Sequence, residues 1–124
     1  MKITRLFYLL MIVMVFVLAG CGSNKELKND AKDIADVMCK NIEIMNRVHA
    51  ANPADSVQVA KLQQEAEQIQ IEMTIVYQEF KTKNKNKLTD DKFNKDFAQE
   101  LRKAMLKCPH LSKEDREAFE KELK

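Results

Sequence analysis

Glycine is nearly missing from this chain of 124 residues: only Gly20 and Gly22 occur, one on each side of Cys21. Nothing after Gly22 is therefore suited to a glycine loop around a phosphate or to tight primed hairpins. Proline is equally scarce, and Pro53 and Pro109 are the only strong helix breakers. Tryptophan is absent, and the two histidines, His49 and His110, belong to no His-Glu-x-x-His or Glu-x-x-His pair. Neither a Gly-x-Ser-x-Gly elbow nor a P-loop is present. These absences remove the usual residues of hydrolytic, di-iron and nucleotide chemistry, so a non-catalytic protein without cofactor or metal is expected.

An excess of charge of one sign is missing too. The chain has 21 Lys and Arg against 19 Asp and Glu, and two of the basic residues, Lys2 and Arg5, lie in its first five positions. Residues 21–124 are thus formally neutral. Binding to nucleic acid requires a basic excess gathered on one face, so no nucleic-acid partner is expected.

The one long apolar run is Leu6 to Gly20, which carries no charge and follows Lys2 and Arg5. That order, a basic start and then an apolar core, is the layout of a secretory leader. As a helix, about 15 residues cover roughly 22 Å, short of the ~30 Å of a hydrocarbon core, which argues against the alternative of an uncleaved anchor.

The run ends in Leu18, Ala19, Gly20 and Cys21, which resemble the lipobox of bacterial lipoproteins. The resemblance covers the leader and this cysteine only, and it implies a diacylglyceryl group on the Cys21 thiol, cleavage before Cys21 and fatty acylation of the new amino group. Two or more acyl chains make such an anchor essentially permanent. The expected location is extracytoplasmic and membrane-bound. Gly22, rather than Asp, after the cysteine resembles lipoproteins sorted to an outer membrane. The expected organisation is a leader at 1–20, a lipidated tether at 21–30 and a helical domain at 31–124, although the spacing of Ser23 and Glu26 would also allow a capped helix to start near the lipid.

About 100 mature residues make one small domain. Ala, Leu, Lys, Glu and Gln are common in it, and three long helices are legible from apolar spacing. In the first, Leu27, Ala31, Ile34, Met38, Ile42, Met45 and Val48 recur at intervals of three and four up to Ala51. Asn52 and Pro53 end it, and Asn52 is expected to cap the second helix with Asp55 in its first turn. The second helix carries Val59, Leu62, Ala66, Ile69, Met73, Val76 and Phe80, a coiled-coil-like seam. Lys81, Lys83, Lys85 and Lys87 form a basic turn, read as a solvated helix end, with contact to anionic headgroups as the alternative. The third helix runs from about Asp90 to Lys107. Ser112 and Asp115 announce a short fourth. The fold class expected is all-α, an antiparallel bundle of three long helices plus a short C-terminal one.

Setting Cys21 aside leaves Cys39 and Cys108, an even count in an oxidising compartment. If the helices are mirrored across their turns, Cys39 is level with Ala66 and Ala66 with Leu106, about 3 Å from the height of Cys108. A Cys39–Cys108 disulfide is expected. Two reduced thiols are one alternative, and a zinc site adding His110 and His49 is another. The latter fits poorly, since His49 lies about 15 Å along the helix from Cys39.

Glu65, Glu72 and Glu79, seven apart, look like a hydrated outer face rather than an ion-binding row. Ile71 and Ile75 fall outside the seam. The same mirror arithmetic sets Phe119 and Leu123 level with them, so the fourth helix is expected to cover both; a partner or dimer surface is the alternative. The function expected is a membrane-anchored, non-catalytic envelope module that binds another macromolecule through a helical face, against a small-molecule or ion carrier with a cavity between helices. Partner and oligomeric state are left open.

Overall fold

The computed structural model describes the chain from Ile3 to Lys124, and its side chains from Lys25 onward. It is all-helical: α1 spans Ile3–Ala50, α2 Ser56–Lys83, α3 Asp91–Met105 and α4 Lys113–Glu122. The leader and Cys21 lie outside the residues whose side chains are described.

α1 is the central element, packed against α2 on one side and α3 on the other. Ion pairs fix the antiparallel register of α1 and α2. Lys40 meets Glu72, Arg47 meets Glu65 and Asp30 meets Lys83, so seven residues up α1 match seven back along α2. α3 returns parallel to α1, which brings Cys39 beside Cys108 and Asn46 beside the carbonyl of His110. α2 and α3 do not pack along their lengths. They join at one end, where Phe80 stacks on Phe93 and Phe97 at centroid distances of 6.3 and 4.4 Å.

Burial follows from this arrangement. Leu27, Ala31, Ile34, Ala35, Val37 and Ile44 of α1 are buried, and Ala35 faces Met105, Cys108 and Leu111. Every residue of the α2 seam from Val59 to Phe80 is buried or half-buried. Packing begins at Leu27, within the stretch expected to be a tether: Lys25–Asp30 are helical, because Leu27 continues the apolar spacing and Asp30 receives hydrogen bonds from Lys83 and Asn84.

The caps differ from expectation at one turn. α2 begins at Ser56 with Asp55 as its cap, whose carboxylate accepts the N–H of Gln58 at 3.0 Å. Asn52 instead uses its side chain inside the turn, accepting from Ala54 N–H. Asp90 caps α3 by accepting from Lys92 and Phe93, and Ser112 caps α4 by accepting from Asp115 N–H at 3.0 Å. At the other end of α2, Asn84 is buried, and its amide donates to the carbonyl of Phe80 and to Asp30.

Candidate functional site

The cysteine pair is a disulfide, with Cα atoms 5.7 Å apart across 69 residues of sequence. It ties α1 to the turn that follows α3, which ends at Met105, short of the Lys107 expected from Pro109. Arg116 of α4 completes this corner by donating to the carbonyl of Leu106, the C-cap of α3, and to that of Cys108 in the turn that follows. No sequence pattern announced that role for Arg116. With both thiols oxidised, the zinc alternative loses two of its four ligands. His49 sits at the helix end against the carbonyl of Met45, while His110 lies 3.5 Å from Glu43. Among the described residues no group of three or more His, Cys, Asp or Glu is arranged to hold a metal.

Ile71 and Ile75 are not covered by α4, contrary to the expectation from helix heights. They are 55% and 53% exposed. The reason lies in what α4 itself must bury. Phe119 packs into the cluster of Ala35, Met105, Cys108 and Leu111, and Glu122 pairs with Arg102, so α4 is committed to α3 and stays away from α2. Val57 and Tyr77 of α2 are exposed as well, at 79% and 48%.

Beside this ridge, α1 and α2 enclose a groove of 720 Å³. Ile34, Val37, Val76 and Phe80 give it an apolar floor. Its walls carry six carboxylates, Asp30, Asp33, Asp36, Glu43, Glu72 and Glu79, against two lysines. Both lysines are already engaged, Lys40 with Glu72 at 2.7 Å and Lys83 with Asp30 at 2.9 Å. The Asp30 carboxylate, hydrogen-bonded to Lys83, holds that ammonium above its ordinary pKa. Glu65, Glu72 and Glu79 are expected on a hydrated outer face. Glu65 and Glu72 stand instead along the edge that α2 turns to α1, bound to Arg47 and Lys40, while Glu79 is exposed at the groove rim.

The basic turn is partly drawn onto the body. Lys83 is paired, and the ammonium groups of Lys81 and Lys87 lie 5.1 and 5.9 Å from the ring centroids of Tyr77 and Phe93. Such contacts add about 0.5–1 kcal/mol each at exposed sites. Among the described residues, no helix is long and apolar enough to cross a membrane.

Comparison with protein-family models, with curated proteins and with solved structures gave no match. The groove and the exposed α2 ridge therefore have to be read from their own chemistry.

Proposed function

We propose that this chain is the precursor of a bacterial lipoprotein, cut before Cys21 and anchored by lipid on that residue, whose helical body is a non-catalytic module binding another macromolecule. The address rests on the apolar run from Leu6 to Gly20 ending in the Leu18-Ala19-Gly20-Cys21 resemblance. The binding role rests on one observation, the exposure of Ile71 and Ile75 on a helix whose opposite face is already packed. Each isoleucine is already nearly half covered, so burying the rest in a partner is favourable by about 1 kcal/mol each, enough to help anchor a contact when the rim is also complementary.

A photo-reactive residue in place of Ile75, in cells that produce the lipidated chain, tests this. Expected is one discrete cross-linked adduct that does not form when the same probe replaces Glu114 on the exposed side of α4. Equal labelling at the two positions would contradict a binding role for α2. The 720 Å³ groove favours a second reading, a small-molecule carrier. A ligand retained through purification and released on unfolding would support that reading over the first.

A further inference from the structure

The acidic groove and the isoleucine ridge are neighbours, and their adjacency selects the chemistry of an occupant. At 100° per residue, Glu72 lies a quarter turn from Ile71, and Glu79 sits one turn beyond Ile75 and slightly to the groove side. The ridge is thus one lip of the groove. A body seated on Ile71 and Ile75 would bring its flank against Glu72 and Glu79, with Asp33, Asp36 and Glu43 on the opposite wall.

Of the six carboxylates there, Asp30, Glu72 and Asp36 are paired with Lys83, Lys40 and Lys32, and Glu43 lies 3.5 Å from His110. Neither Asp33 nor Glu79 has an ion-pair partner among the described residues. A neutral or acidic occupant would strip water from these carboxylates without replacing it, which is costly. A bare polycation would satisfy the charge but leave both isoleucines and the apolar floor wet. The wall from Asp30 to Glu43 is about 20 Å long, the length of a helix of about 13 residues.

We infer that the α1–α2 groove and its Ile71–Ile75 lip form the docking site for a basic amphipathic helix of another protein. This rests on the reading of α2 as a binding face and names what that face takes. The apolar stripe of the incoming helix covers Ile71 and Ile75 and reaches the floor at Val76, while its lysines or arginines meet Glu79, Glu72 and Asp33. Helix-in-groove recognition of this kind takes affinity from the apolar anchors, and orientation and association rate from the charges.

The test uses the full lipidated chain in nanodiscs of phosphatidylcholine, with a fluorescent Leu/Lys amphipathic helical peptide as probe and empty discs as the blank. Expected is saturable binding above the blank that weakens as salt rises. The pair Glu72→Gln/Glu79→Gln should weaken it about tenfold and flatten the salt dependence, and Ile71→Ser/Ile75→Ser should weaken it by a similar factor with the salt dependence kept. All four side chains are exposed or half-exposed, so unchanged circular dichroism is expected alongside.

Three results would overturn the inference. One is binding no stronger than to empty discs. Another is equal binding of a Leu/Glu peptide of the same pattern. The third is self-association of the chain removed by the same substitutions, which would make the occupant a second copy. An adduct at residue 75 in cells that persists in Glu72→Gln/Glu79→Gln would leave α2 as a binding face and dismiss the basic helix alone.

Discussion

The two ends of the α1–α2 pair carry similar apolar spacing and bury it very differently. Toward the Phe80 end, α3 lies alongside α1, the disulfide ties them, and Leu27, Ala31, Ile34 and Phe80 are almost closed to solvent. Toward the Asn52 turn, α1 and α2 run on past the end of α3 at Met105, and Met45, Val48 and Val57 stand 45%, 41% and 79% exposed. What separates the ends is the presence of a third helix, because two helices can bury only one stripe each, whereas three enclose a core. The large side chains of Ile44 and Met105 are each 2% exposed, Met105 at the end of α3 and Ile44 between the disulfide at Cys39 and the Asn46–His110 hydrogen bond along α1.

Removing the staple attacks the closed end most strongly. Cys39→Ala/Cys108→Ala frees a loop of 69 residues and should lower stability by up to roughly 4 kcal/mol, read as the shift in urea midpoint against the oxidised protein. A midpoint unmoved by the substitutions would mean that helix packing alone holds α3 in place. Next comes a pair of truncations at the two ends. Met105→Ala, in the closed part, should cost about 3 kcal/mol, whereas Val57→Ala at the turn should stay within about 0.5 kcal/mol. Similar costs at the two sites would show that the turn end is covered after all.

A smaller effect belongs to the turn itself: Asp55→Ala removes the cap of α2 and should cost about 1 kcal/mol, while Asn52→Ala, whose side chain caps only the turn, should cost less. The smallest is pH-dependent. The hydrogen bond from Arg47 holds the Glu65 carboxyl below its ordinary pKa, so its contribution is complete above the value for the unfolded chain and disappears as pH falls through the lowered one. The difference in Tm between the parent and Glu65→Gln should accordingly be present at neutral pH and vanish in acid; a difference that grows in acid would reverse the assignment.

Much of the closed end is legible in the sequence. The seam from Val59 to Phe80 follows from spacing, and the Ser112 cap and the Cys39–Cys108 pairing follow from residue type and helix height. The disulfide forms although the helix heights differ from those expected. Placing the first turn at Asn52–Pro53 made Cys39 level with Ala66, whereas the Lys40–Glu72 pair shows it to be level with about Met73, one heptad further on. α3 packs on α1 and not along α2, so the parallel pairing of α1 and α3 is what brings Cys108 to Cys39. Turn geometry decides register, and that depended on whether Asn52 or Asp55 caps α2, two residues of nearly equal capping strength.

The candidate site was less legible for the same reason. Periodicity sets Ile71 and Ile75 off the seam, but which neighbour a short helix covers is decided by its own apolar residue, and Phe119 goes to the Met105 cluster. Glu72 and Glu79 look like solvated residues one by one; only the approach of α1 makes them the wall of a groove.

Intact-mass spectrometry of the protein taken from a membrane fraction tests the proposed address most directly, because one spectrum reports the N-terminus, the lipid and the thiol state. Expected is a chain beginning at Cys21, heavier by a diacylglyceryl group and fatty acid, and lighter by two hydrogens for the Cys39–Cys108 bond. A mass matching the unmodified sequence from Met1, recovered from the cytosol with free thiols, would contradict it.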